Sequence, residues 1–177
     1  GKTNLATEFV HRYGAYFAGG VFWLSFADPA GIAPEIAACG ASGIVQHPSW
    51  AELSLDQQVM LVRQAWEAPV PRLLIFDNCE EEDLVSTWRP TTGGCRILLT
   101  SRRERWSAAL GIVPQPLDVL PRSESIRLLH SHRPELQPTD PVLDTIAGEL
   151  GDLPLALHLA GSYLETNTDD PSTFLRE

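Results

Sequence analysis

Residues 73–77 read Leu73-Leu74-Ile75-Phe76-Asp77, four consecutive apolar side chains closed by a carboxylate. Side chains alternate between the two faces of a strand, so an unbroken apolar run calls for apolar surroundings on both. That is the pattern of a strand inside a parallel sheet with helices above and below. A second run, Ile97-Leu98-Leu99, ends in Thr100-Ser101-Arg102 and reads the same way. Between the two lie a short helical stretch with Leu84, Val85 and Trp88, and a turn over 90–94.

Upstream, Ser54 and Gln57 form a capping-box pattern that opens a helix. Its apolar positions Leu55, Val59, Val62 and Trp66 share one face, and Pro69 and Pro71 stop it. Pro34 to Cys39 reads as a shorter helix, and Val21 to Phe26, rich in aromatic and branched residues, as a strand. Before the Gly19-Gly20 turn, Leu5, Ala6, Phe9, Val10 and Tyr13 form one helical stripe. The order helix, strand, helix, strand, helix, strand predicts an α/β fold with a parallel sheet flanked by helices. Residues 112–118 are expected to add a last strand, held to an edge by Pro114 and Pro116, which cannot donate to a ladder.

Downstream, Arg122 to His130 reads as a helix that completes a first domain over 1–132. Pro134, Pro138 and Pro141 punctuate a linker over 133–141, and the first helices of a small helical domain occupy 142–177. Asp140-Pro141 opens one of them and Gly151 closes it; Asp152-Leu153-Pro154 opens the next.

The chain has 177 residues, 44% hydrophobic and 20% charged, a balance that supports a packed core. A net charge of −10 argues against a broad nucleic-acid footprint but leaves room for a single nucleotide. Cys39, Cys79 and Cys95 lack metal-ligand spacing and read as buried or half-buried thiols of a cytosolic protein. No apolar run reaches the ~18 residues of a membrane span. No Ser/His/Asp or metal-ligand constellation is visible.

Three polar groups fall where chemistry is plausible. Gly1-Lys2-Thr3 precedes an amphipathic helix, whose first turn offers unpaired N–H groups to a phosphate. Asp77 ends a buried strand, where it either holds a metal at the carboxyl edge of the sheet or caps the next helix. Thr100-Ser101-Arg102 ends the neighbouring strand at the same edge, where solvent exposure alone is the other explanation.

Taken in order, Gly1-Lys2-Thr3, the strand from Val21 to Phe26, Leu73 to Asn78, Leu98 to Arg102, and Gly151-Asp152-Leu153-Pro154-Leu155-Ala156-Leu157 resemble the NB-ARC family of STAND signalling ATPases. The resemblance spans essentially the whole chain. It implies a P-loop nucleotide-binding sheet domain followed by the start of a helical lid. Gly1, Lys2 and Thr3 would bind the phosphates of ATP or ADP, with Thr3 and Asp77 on Mg2+. Arg102 would sense the γ-phosphate, and Pro154 would pack on the adenine. It further implies a cytoplasmic molecular switch that oligomerises in the ATP state, with effector and repeat domains on either side. Neither a membrane nor direct nucleic-acid binding is expected of this domain.

One position departs from the family pattern. Many members carry a second acid after the strand, thought to activate the attacking water; here Asn78 stands in its place. An amide does not take up a proton at neutral pH. Glu80 is the nearest substitute, although Glu80, Glu81 and Glu82 also suit a helix start. Slow or absent hydrolysis is therefore expected. Two other functions stay open: a non-hydrolysing module that keeps ADP as a structural ligand, and a P-loop phosphotransferase. The latter needs a basic lid, for which the chain offers only Arg102, Arg103 and Arg105 after one strand. By the same resemblance, the chain begins within its phosphate-binding loop and lacks the central first strand. On that basis residues 1–177 alone are expected to fold poorly and to bind ATP weakly.

Overall fold

The computed structural model describes residues 1–167. They form two compact units, one over Lys2–Pro116 and one from Leu117 onward. The first unit is α/β: α1 (Lys2–Tyr13), β1 (Val21–Ser25), α2 (Pro29–Cys39), α3 (Leu55–Trp66), β2 (Arg72–Asp77), α4 (Glu82–Trp88) and β3 (Cys95–Leu99). The three strands are parallel in the order β1-β2-β3, with Ser25 opposite Asp77 and Phe76 opposite Leu99.

The central strand behaves as its composition demands. Leu73, Leu74, Ile75 and Phe76 are all buried, and their alternation sorts them into two cores. Leu74 and Phe76 join Leu24, Phe26, Ile32, Ile36, Val59, Val62 and Trp66, the layer of α2 and α3. Phe76 stacks on Phe26 with ring centroids 4.4 Å apart. Leu73 and Ile75 face the other way, onto Ala6 of α1 with Phe9 and Val10 packed beside it. Helices thus cover both faces of β2.

β3 departs from the expectation of full cover. Arg96 and Ile97 are exposed and Leu98 and Leu99 half-buried, because β3 lies at the sheet edge. The stripe on α1 is also only partly covered: Ala6 is buried, whereas Leu5 is 53% and Tyr13 47% exposed. Residues 112–118 form no strand, in contrast to the sequence expectation. Pro114 and Pro116 lack the N–H groups a ladder needs, and Val113 between them and the preceding turn is 76% exposed, so little burial rewards pairing. α2 begins five residues before the expected Pro34, with Asp28 accepting from the Ala30 amide and Pro29 at the first helical position. The turn into β3 depends on Gly94, where an added Cβ would lie 2.5 Å from the Val70 carbonyl oxygen.

The second unit holds α5 (Arg122–His132), α6 (Pro141–Glu149) and α7 (Pro154–Thr166). Leu129 of α5 is buried with Leu143, Ile146, Leu157, Ala160 and Leu164. The division at 116/117 therefore precedes α5, which packs with the later helices rather than with the sheet to which the expected 1–132 domain assigns it. The part of the expected helical domain beyond 167 lies outside the described residues. All three cysteines are free thiols, Cys79 buried and the others half-buried. Among the described residues, no helix is long and apolar enough to cross a membrane.

Candidate functional site at the carboxyl rim of the sheet

Parallel strands end at a common rim, and the residues that follow β2 and β3 meet there. β1 and β2 stay paired past their ends, with the Phe26 amide donating to the Asp77 carbonyl at 2.8 Å. On the other side, the Thr100 amide donates to the Phe76 carbonyl at 3.0 Å. This backbone pairing brings the Asp77 carboxylate beside the buried Thr100, whose hydroxyl donates to Asp77 Oδ1 at 2.5 Å.

The same carboxylate meets the start of α1. Thr3 Oγ1 donates to Asp77 Oδ1 at 3.1 Å and lies 3.5 Å from Oδ2. Residues 74 positions apart are thus in direct contact, and Lys2, the first residue of α1, is exposed next to them. The first turn of α1 contains no acidic residue to compete for its free amides.

Asn78 follows Asp77 with a left-handed backbone, φ 57°. That turn directs its amide to Thr100 Oγ1 at 2.9 Å, and the Cys79 amide to the Thr100 carbonyl at 2.9 Å. Glu80 then reaches the end of the neighbouring loop. Its carboxylate accepts from Ser101 Oγ at 3.0 Å, from the Arg102 amide at 3.0 Å and from Arg102 Nε at 3.4 Å. Desolvation is the largest single influence on Glu80 and pushes its pKa up. The Arg102 amide, the Ser101 hydroxyl and the Arg102 guanidinium together outweigh it and hold the carboxyl below its ordinary value. A carboxylate held this way is a weaker proton acceptor. Burial raises the Cys79 thiol to about 11, which keeps it out of nucleophilic chemistry near neutral pH.

Of the residues singled out from the sequence, the structure brings Lys2, Thr3, Asp77, Glu80 and Arg102 to one rim. Pro154 lies in the second unit, half-buried at the first position of α7. Thr100 stood in the polar tip after β3, but the sequence analysis gave it no part of its own; its contact with Asp77 comes from the register between the two strand ends. Among the described residues, one surface depression of about 480 Å3 opens at the amino end of the strands, lined by Gly19, Gly20, Gly43 and Arg72; another of about 370 Å3 lies on α5.

The two side chains there that could face a metal, the Thr3 hydroxyl and the Asp77 carboxylate, both offer oxygen and are hydrogen-bonded to each other. Such a pair suits Mg2+, which keeps most of its waters and takes one or two protein oxygens together with substrate phosphates. Among the described residues, no group of three or more His, Cys, Asp or Glu would cage a metal unaided. Fold and site together define an α/β unit, a small three-stranded parallel sheet between helices with an oxygen-lined rim, compatible with a P-loop-like fold. No protein-family model matches the chain, and no curated protein matches it.

Proposed function

We propose that the chain is the nucleotide-binding part of a STAND-type signalling switch, binding ATP or ADP with Mg2+ at the carboxyl rim of its sheet. The observation that carries this reading is the 3.1 Å contact between Thr3 and Asp77. A threonine in the first turn of a helix and a strand-terminal aspartate are the two metal-side groups of a P-loop site. Sequence distance gives no reason for them to meet.

Lys2 supplies a positive charge for the β- and γ-phosphates, and the free amides of α1 add hydrogen bonds along the helix dipole. Thr3 and Asp77 hold Mg2+, which offsets phosphate charge when bound. Arg102 reads the γ-phosphate. ADP favours a closed state, ATP an open one that assembles into a homo-oligomer in the cytoplasm with flanking effector and repeat domains. A ligand shifts such an equilibrium only by its difference in affinity for the two states. A γ-phosphate contact made in one state supplies that difference.

Hydrolysis is slow in this reading, because Asn78 offers no proton acceptor and Glu80 is already engaged by three donors. Those same engagements favour a second reading, a module that retains ADP and turns nothing over. Nucleotide carried through purification, compared with steady-state turnover of the intact protein, separates the two.

The site itself is tested by Lys2→Ala and Asp77→Ala in the intact protein, with ATP and ADP affinity measured with and without Mg2+. Lys2→Ala is expected to weaken both nucleotides by about 10–100-fold, the worth of a lost charge-assisted contact. Asp77→Ala is expected to remove the Mg2+ dependence. Wild-type affinity in the Lys2→Ala variant would reject the nucleotide reading.

A further inference from the structure

The loops after β2 and β3 are joined by successive residues. Asp77 takes the Thr100 hydroxyl, the Asn78 amide gives to that hydroxyl, and the Cys79 amide gives to the Thr100 carbonyl. Glu80 closes the series on Ser101 and Arg102. The left-handed turn at Asn78 makes this possible, because it carries the chain along the neighbouring loop instead of directly into α4. The last residue of β2 and the three that follow it are thereby fixed against three residues after β3.

Glu80 grips Arg102 from behind. The stronger contact is to the main-chain amide at 3.0 Å, which sets where the residue sits. The side chain is touched only at Nε, at 3.4 Å. The Arg102 side chain is 79% exposed, and its two terminal nitrogens have no partner among the described residues. Those nitrogens form the two-pronged end that matches a phosphate. As an ion pair this exposed contact contributes little. As an orienting contact it leaves the useful end of the guanidinium free.

We propose that Glu80 is a positioning residue that presents Arg102 to the terminal phosphate of a bound nucleoside triphosphate, an inference that rests on the nucleotide reading above. It gives Glu80 a different part from that of a base. A base needs a free carboxylate edge, whereas both Glu80 oxygens already face donors. It also differs from a competitor that hides the guanidinium, since such a group would occupy the terminal nitrogens. Because Asp77 and Glu80 belong to the same joined loops, the metal-side carboxylate and the phosphate-sensing guanidinium are held as one piece. The discrimination between triphosphate and diphosphate then depends on a residue that touches neither.

The test is a double-mutant cycle on the intact protein, with ATP and ADP affinities measured for wild type, Glu80→Ala, Glu80→Gln, Arg102→Ala and Glu80→Ala/Arg102→Ala. Glu80→Ala is expected to weaken ATP about tenfold, the scale of one misplaced charge-assisted contact, and ADP less than about twofold. Glu80→Gln keeps an acceptor oxygen for the Arg102 amide and is expected to recover part of the ATP affinity. In the Arg102→Ala background, Glu80→Ala should leave the ATP-to-ADP ratio where it was. Equal weakening of both nucleotides would make Glu80 merely structural and overturn the proposal, as would an ATP preference that rises when Glu80 is removed. A wild-type protein that binds neither nucleotide would sink the nucleotide reading and this inference with it. A wild type that binds both, with a ratio indifferent to Glu80, would sink the inference alone.

Discussion

Asn78 is where residue chemistry and backbone geometry meet. Its amide side chain takes up no proton at neutral pH, and its backbone has φ 57°. Asparagine and aspartate enter the left-handed region more readily than other residues with a Cβ, and β-branched residues pay most for it. The position thus tolerates only a few side chains on conformational grounds. Asn78→Asp and Asn78→Gly are expected to leave stability within about 0.5 kcal/mol of wild type, the usual range for an exposed site without special strain. Asn78→Val is expected to lose at least about 1–2 kcal/mol to the left-handed backbone. Denaturant melts of the intact protein check this, and a valine variant as stable as the aspartate one would mean that the turn is not left-handed in solution.

At the scale of elements, the clearest tie in the helical unit is Arg122 at the start of α5. Its Nε and Nη2 take both oxygens of Asp152, at 2.8 and 2.9 Å, while Nη1 reaches Asp144 of α6 at 3.1 Å. One guanidinium therefore links α5, α6 and the turn into α7, where Asp152 is left-handed with φ 55°. Hydrogen bonds from Arg122 hold the Asp152 carboxyl below its ordinary value. The sign follows from linkage: a lowered carboxyl favours the folded state above its unfolded pKa, about 3.9, and that contribution fades as pH falls through the folded value. The stability gap between wild type and Arg122→Ala, read from denaturant midpoints, should be full at pH 6 and shrink below about pH 4. A gap indifferent to pH would show that Arg122 acts through packing alone.

The sequence carries some of these elements plainly and others not at all, for physical reasons. Ser54 and Gln57 make both halves of the capping box, and Asp140 accepts from the Val142 amide, because caps are local and need only a few neighbouring residues. The start of α2 carried the same Asp-Pro signature at Asp28-Pro29 and was legible by the rule that found α6. β2 was legible from burial on two faces, whereas the exposure of β3 depends on its place at the edge, which no local pattern records. The membership of α5 likewise rests on what Leu129 packs against, a non-local fact. Of the site, Thr3, Asp77 and Arg102 stood out through the motifs that carry them. The Thr100 hydroxyl and the grip of Glu80 on Arg102 arise from the register between two loops, and only coordinates display that.

At the scale of the molecule, the buried side chains fall into cores that share no residue across the two units. Phe76, Trp66 and their neighbours belong to the sheet unit, with Leu73, Ile75 and Ala6 on the sheet's other face. Leu129, Leu143, Ile146 and Leu157 belong to the helical unit. A cavity made in one core removes transfer energy and packing from the elements around it, and among the described residues the cores share no buried side chain. Leu143→Ala, at a fully buried position, is expected to cost the helical unit about 2–5 kcal/mol, and Phe76→Ala the sheet unit about 3–5 kcal/mol. Either loss is a large share of the ~5–15 kcal/mol that a domain commands. Hydrogen exchange followed segment by segment resolves where each loss lands. Leu143→Ala should speed exchange across α5, α6 and α7 while the amides of β2 keep wild-type protection, and Phe76→Ala should do the reverse. If both substitutions accelerate β2 and α6 alike, the units unfold as one, and a switch built on their separate movement loses its physical basis.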